Sequence, residues 1–256
     1  MATPSQPSKA SVRQDEAESP SSAVTPTPKE VKAQSYDVLM GASRSHENGP
    51  SIAPIPSLES IREWVHAAIF NPSPERPYRI NPPPQDRPVR IYADGVYDLF
   101  HYAHMLQLRQ AKLSFPSVYL IVGVVSSDLC EKHKNRPMLE SSERYEALRN
   151  CRWVDEVLED APWVIEPELV NKLAIDYVAH DELPYAMATG GQAQSHSDVY
   201  DWLKKEGRFL PTRRTEGIST SELMSRIVSM YREGDLDAKL EKMGESKLTS
   251  TSPYSP

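Results

Sequence analysis

The chain is poor in cysteine, has no long apolar run and carries no excess of positive charge. Its two cysteines, Cys130 and Cys151, are too few for a disulfide framework and fit a reducing compartment. No stretch approaches the roughly 20 apolar residues of a membrane-spanning helix. The opening "MATPSQPSKASVRQDEAES" lacks the apolar centre of a signal peptide. With a formal net charge of -7, bulk electrostatics do not draw the chain to nucleic acid or to anionic membrane. An anionic small substrate would need a local cluster of cations. These absences predict a soluble protein of the cytoplasm or nucleus.

Proline, by contrast, is plentiful and unevenly spread: 15 of the 23 prolines lie before residue 89. Mixed with Ser, Thr, Ala and Glu, such a segment cannot bury enough apolar area to offset its ordering entropy, so residues 1–58 are expected to form a disordered tail. The patch "SLESIREWVHAAIF" then predicts a brief amphipathic helix, with Ser60 and Glu63 at capping-box spacing and Ile61, Trp64, Val65 and Ala68 on one face. It is expected to dock on the domain or on a partner. "NPSPERPYRINPPPQDRP" reads as a stiff, extended linker that completes a 59–87 segment.

From Val89 the texture changes. "VRIYA", "VYLIVGVVS", "VDEVLE" and "IDYVAH" read as strands. Helical stretches alternate with or follow them: His101–Phe115, "ERYEALRNCRW", "PELVNKL", and "SDVYDWLKKEG" closed by Gly207. The alternation predicts an α/β domain over residues 88–232, a Rossmann-like doubly wound parallel sheet. Ligands in such sheets sit beyond the carboxyl ends of the strands, where the strand order reverses. After Tyr231 the text turns polar, and residues 233–256 read as a solvated tail.

Two clusters carry candidate chemistry. In "RIYADGVYDLFHYAHMLQLRQAK", His101 and His104 stand three apart at the start of a helix. They share a face beside unpaired N–H groups and the positive dipole end, an arrangement that suits phosphate. Two imidazoles can donate hydrogen bonds to phosphate oxygens; the plain alternative is a pair of partly exposed histidines. Metal binding is disfavoured, because no Cys or carboxylate stands at a matching interval and His133, His180 and His196 are scattered. In "PTRRTEGISTSEL", Ser219 and Glu222 have capping-box spacing, Gly217 permits a tight turn and Arg213 and Arg214 precede it. That is a second anion site by the same physics, or else a capped surface helix with solvated arginines. Lys132, Lys134 and Arg136 fall in a basic loop after the second strand. Trp163, Asp181 and Tyr185 follow the third and fourth strands, where aromatics serve either the core or a cation-binding box.

"ADGVYDLFHYAH…QLRQAK", "RWVDEV", "APW", "DYVAHDELPY" and "RTEGISTSEL", in that order and spacing, closely resemble the catalytic domain of the choline-phosphate cytidylyltransferase family, within the nucleotidyltransferases that carry a His-x-Gly-His signature. The resemblance spans roughly residues 88 to 232. It implies transfer of the cytidylyl group of CTP to phosphocholine, giving CDP-choline and pyrophosphate, with Mg2+ accompanying CTP and a homodimeric assembly. It assigns His101 and His104 to the pentacoordinate α-phosphorus and leaving pyrophosphate, and Lys134 to the phosphates of both substrates. Arg214, Thr215, Ile218 and Thr220 fall on the nucleotide-binding turn, with Arg213 beside them; Val96 and Tyr97 fall on backbone next to the nucleotide. His180, Asp181 and Tyr185 face the substrates. Trp163, Tyr185, Tyr200 and Asp94 would surround the trimethylammonium group, which cannot donate a classical N–H hydrogen bond and is held by rings and charge. The chain departs from the family at Ala103 and Asn135, where glycine is usual, and in the insertion "ATGGQAQSH" after Tyr185. Its last 25 residues lack the long amphipathic lipid-binding helix of eukaryotic relatives. Two alternatives stay open: a catalytically impaired CTP-binding relative or dimer partner, and a cytidylyltransferase for another acceptor such as phosphoethanolamine.

Overall fold

The computed structural model describes residues 54–182 and 198–251. Tyr185 and the insertion after it lie outside the described residues. Five parallel strands form one sheet: β1 (Val89–Gly95), β2 (Val118–Val124), β3 (Glu156–Leu158), β4 (Tyr177–Asp181) and β5 (Phe209–Thr212), in the order β3-β2-β1-β4-β5. The first strand is therefore central, and the order reverses between β1 and β4. Strand alternation separates two cores. Ile91, Ala93, Leu120, Val122 and Ala179 face one side, where α2 (Tyr102–Leu113) and α4 (Ser141–Arg149) supply Leu108, Ala111, Tyr145 and Leu148. Tyr92, Ile121, Val178 and Phe209 face the other, against Val170 of α5 (Pro167–Lys172) and Leu203 of α6 (Asp201–Lys205). Helices on both faces of a parallel sheet make the fold a doubly wound α/β domain of nucleotidyltransferase type.

Two glycines are required by space. A Cβ at Gly123 would lie 1.8 Å from the hydroxyl of Tyr92 on the neighbouring strand. Gly207 has φ +69 after α6, as expected of a helix-terminating glycine, and a Cβ there would meet Asn81 at 2.6 Å.

The elements before β1 are part of the domain. Helix α1 (Leu58–Phe70) starts one turn earlier than its sequence suggests: Ser57, the first residue after Pro56, caps it by accepting from the Ser60 N–H at 3.1 Å. It buries Ile61, Val65 and Ala68, the expected face, and Trp64 packs beside them. Full burial of such a side chain contributes about 1.5–3 kcal/mol. The proline-rich stretch after α1 is fastened along the sheet. Ile80 is buried, Asn81 exchanges hydrogen bonds with Glu206, Gly207 and Tyr177, and Arg87 makes a two-pronged ion pair with Asp176 at 2.7 Å.

Beyond β5, α7 (Thr220–Arg232) leaves Met224, Ile227, Val228 and Met230 exposed. The polar segment that follows holds a short helix, α8 (Asp237–Lys242), and a 3-10 turn at Ser246–Leu248. Among the described residues no helix is long and apolar enough to cross a membrane.

Candidate active site

Two adjoining cavities open at the carboxyl ends of β1 and β4, the switch point that this strand order creates. The β1–α2 loop forms their shared floor. Tyr97 and Leu99 hold φ of 54 and 46, a left-handed conformation that costs a non-glycine residue on the order of 1 kcal/mol or more. The surroundings enforce it. The Asp98 carboxylate accepts the N–H groups of Leu99, Met138 and Leu139 at 2.8–3.0 Å. Arg144 of α4, with no exposed surface, donates to the carbonyls of Val96 and Val125 at 2.7 Å, to that of Leu139 at 3.2 Å, and to the hydroxyls of Ser127 and Ser141. One guanidinium thus ties together the loops that leave β1, β2 and α3 (Ser127–His133).

The first cavity is lined by Asp94, Val96, Tyr97, His104, Cys130, Lys134, Trp163, His180 and Tyr200. The Tyr200 hydroxyl donates to both Asp94 oxygens at 3.1 and 3.2 Å. His180 stacks on the Tyr200 ring at 4.8 Å, and Trp163 stacks on His133 at 4.9 Å. Burial pushes the Asp94 carboxyl above the usual carboxylate range, with His180 and the Tyr200 hydroxyl pulling the other way. Carboxylate and aromatic faces on one wall can hold an organic cation.

The second cavity is lined by His101, Ala103, His104, Lys134, His180, Asp181, Arg213, Arg214, Thr215, Ile218 and Thr220. His104, Lys134 and His180 therefore border both. The two signature imidazoles stack at 3.9 Å, and the His101 backbone N–H reaches His104 Nδ1 at 3.5 Å. With Nδ1 accepting, the neutral ring carries its proton on Nε2 and can donate from there. Burial, with His101 adding to it, pushes His104 down to about 3; burial also lowers His101. Both ring nitrogens of His101 are buried without a hydrogen-bond partner, and a phosphate oxygen is the kind of group that would accept from the one carrying the proton. Across the cavity, Ser219 caps α7 by accepting from the Glu222 N–H at 3.2 Å, and the Thr220 hydroxyl donates to the Asp98 carbonyl, also at 3.2 Å. The second anion-suited helix start is thereby pinned to the first.

Arg214 is exposed at the rim. The Arg213 guanidinium turns instead toward α1, 5.5 Å from the Trp64 ring and 3.4 Å from the Ser60 hydroxyl, while its backbone pairs with the Gln110 amide. Ala103, the methyl where the signature has glycine, lies on the wall of the second cavity. The Cys130 thiol donates to the Asn135 carbonyl at 3.3 Å beside Lys134. Among the described residues no group of three or more His, Cys, Asp or Glu is placed to hold a metal ion. Arg144, Asp98 and Gln110 were not singled out by the sequence reading. The only trace of the first was a charged residue on the same helix face as buried Leu148, four residues on.

Comparison with known proteins places the chain in a family. Residues 92–226 match the cytidylyltransferase-like family. The chain is 49% identical over 187 residues to a probable choline-phosphate cytidylyltransferase of Schizosaccharomyces pombe, covering 70% of this chain and 50% of that protein. It is 52% identical over 148 residues to choline-phosphate cytidylyltransferase 2 of Arabidopsis thaliana, covering 58% and 47%. An ethanolamine-phosphate cytidylyltransferase of Dictyostelium discoideum is more distant, 36% identical over 174 residues, covering 66% and 46%. The chain thus spans about half the length of these curated relatives. Because the matched segment takes in more than half of the 256 residues and contains both histidines, Lys134 and the Arg214 turn, the chain belongs to the cytidylyltransferase-like family.

Proposed function

We propose that the protein transfers the cytidylyl group of CTP to phosphocholine, releasing pyrophosphate and forming CDP-choline. The observation that carries this reading is the pair of cavities that share Lys134 and His104: one suited to anions, the other walled by Asp94, Trp163 and Tyr200. CTP lies in the second cavity, with its phosphates toward His101, His104 and the α7 N-terminus and Arg214 and Thr215 at the nucleotide turn. Phosphocholine lies in the first, its trimethylammonium group against the rings and Asp94 and its phosphate toward Lys134.

A phosphate oxygen of phosphocholine attacks the α-phosphorus of CTP. A new P–O bond forms as the bond from that phosphorus to the bridging oxygen breaks, and pyrophosphate leaves with the electron pair. Such transfers ask the protein for alignment and charge stabilisation more than for covalent help. Lys134 offsets repulsion between the approaching anions, and His104 donates from Nε2 toward the α-phosphoryl oxygens, where negative charge builds. His101 serves the leaving group. Mg2+ would accompany CTP as part of the nucleotide complex and would supply charge neutralisation to the triphosphate. Tyr185 and a homodimer belong to this proposal by resemblance, and a cytoplasmic or nuclear setting by the chain's composition. The more distant ethanolamine-phosphate relatives mark the competing acceptor. A primary ammonium asks for hydrogen-bond acceptors, whereas this cavity offers rings and the Asp94 carboxylate, the Asp98 carboxylate being taken up by three backbone N–H groups.

The test is pyrophosphate release by the purified protein with CTP and Mg2+ and either phosphocholine, phosphoethanolamine or no acceptor. Release that depends on phosphocholine is expected. Preference for phosphoethanolamine would reassign the acceptor. A folded, CTP-binding protein that releases nothing with any acceptor would make the chain an impaired relative.

A further inference from the structure

The proline-rich stretch between α1 and β1 precedes the family-matched residues 92–226, yet it reaches the end of the sheet where the first cavity opens. Arg76 Nε donates to Glu182 Oε1 at 2.8 Å, and the Tyr78 hydroxyl donates to the same oxygen at 2.7 Å. The Arg76 side chain is 12% exposed and that of Glu182 42%, so the contact is covered on the arginine side and open to solvent on the carboxylate side, and its weight lies in one oxygen receiving two donors. Burial works against the Glu182 carboxylate, but the bonds from Arg76 and Tyr78 outweigh it and hold the group below the usual carboxyl range. Glu182 directly follows β4, two residues after His180, and the His180 ring stacks on Tyr200.

The Tyr78 ring reaches Tyr200 by a second route. It meets Phe209 edge-on at 5.7 Å, and Phe209 packs against Tyr200 at 5.5 Å. Lys204 lies 5.5 Å from the Tyr78 ring centre and pairs with Asp198, whose carboxylate accepts the Tyr200 N–H at 3.1 Å. Tyr78 therefore bears on Tyr200 through its hydroxyl, by way of Glu182 and the end of β4, and through its ring, by way of Phe209. Neither Arg76 nor Tyr78 lines the cavity itself.

On the reading of this cavity as the phosphocholine site, we propose that Arg76 and Tyr78 are positioning residues for the acceptor: a clamp outside the family-matched segment that fixes His180 and Tyr200 and so sets acceptor affinity. A lost hydroxyl bond loosens the wall that the quaternary ammonium meets; of the second cavity's lining it bears only on His180, while His101, Arg214 and the α7 N-terminus keep their places.

The test is steady-state pyrophosphate release by the full chain with CTP and Mg2+, phosphocholine and CTP each varied in turn, alongside thermal melts. Tyr78→Phe keeps the ring and deletes only the bond to Glu182. It should raise the KM for phosphocholine about three- to tenfold and leave the KM for CTP within about twofold. Arg76→Gln should act in the same direction, with Arg76→Lys closer to wild type. Arg87→Gln is the control, because it cuts the same segment from Asp176 at the opposite end of β4. It should lower Tm without moving either KM. An unchanged phosphocholine KM in both Tyr78→Phe and Arg76→Gln overturns the proposal, as does an equal rise for both substrates or the same rise in Arg87→Gln. A wild-type enzyme that ignores phosphocholine but uses another phosphorylated acceptor would refute the acceptor assignment instead. The clamp would then stand or fall on that acceptor's KM.

Discussion

Replacing Asp94 by Asn removes one charge and almost no volume from the wall of the first cavity. The carboxylate receives the Tyr200 hydroxyl at 3.1 and 3.2 Å and shares the cavity with Trp163. Opposite unit charges about 5 Å apart, at an effective dielectric near 20, attract by about 3 kcal/mol. Asn still accepts from Tyr200 but loses that attraction, so kcat/KM for phosphocholine should fall about 10- to 100-fold, with the KM for CTP nearly unchanged. The pH dependence has a definite sign. Burial raises the Asp94 pKa above 3.8, so the charge that attracts the substrate appears only above that raised value. The kcat/KM for phosphocholine should climb with pH along a limb lying above the ordinary carboxylate range, and Asp94→Asn should lack the limb. Stability runs the other way. Between the unfolded and folded pKa values the native state keeps a proton that the unfolded chain releases, so stability falls as pH rises through that window. Asp94→Asn, which cannot ionise, should melt higher at neutral pH while using phosphocholine poorly. A variant that melts lower and loses both substrates equally would refute the reasoning, as would a wild-type profile without the limb.

Trp163→Ala removes a ring from the same cavity and should raise the phosphocholine KM about tenfold or more, since a desolvated cation–π contact is worth about 2 kcal/mol; equal loss of CTP use would end its assignment to the acceptor side. His104→Ala should cut kcat about 100-fold or more without changing the circular dichroism of the domain, and undiminished turnover would remove the histidine from the chemistry. Because His104 is held down to about 3 from 6.5, its contribution to stability is present at neutral pH and lost as pH falls through that interval; urea titrations should show a shallower acid loss in His104→Ala. Ala103→Gly clears a methyl from the nucleotide cavity and should lower the KM for CTP about two- to fivefold, at about 0.5–1 kcal/mol of stability for glycine in a helix. A CTP KM that does not move would show that the methyl never met the nucleotide.

The first four strands were legible because their β-branched runs need two apolar layers, and the signature histidines because they follow such a run. The fifth strand was not. "FLPT" is four residues long and contains proline, a combination that a sheet accepts only at its edge, and edge position is a property of the assembled order. The segment before β1 presents the same difficulty. Prolines announce an extended chain, but whether it runs free or fastened depends on partners such as Glu182, 106 residues away from Arg76. Arg144 was missed because a charged side chain is read as solvated, and its partners are mostly backbone carbonyls, which every residue supplies. The Arg213–Arg214 pair shows the limit at single-residue scale. Adjacent guanidinium groups were assigned together, yet one faces the rim and the other an aromatic ring on α1.

The strand order also sets a sequence of assembly. As the chain emerges from its N-terminus, β1, β2 and β3 can pair through neighbouring crossovers, whereas the other edge of β1 waits for β4, some 85 residues downstream in the register Ile91↔Tyr177. The early half already owns His101, His104, Lys134, Asp94 and the Arg144 tether. His180, Tyr200, the Arg214 turn and the α7 N-terminus arrive with the late half. A partly made chain therefore displays the signature histidines with half of each cavity and no closed site. Neither cavity closes until β4 has docked against the strand that has waited longest and β5 and α7 have followed it.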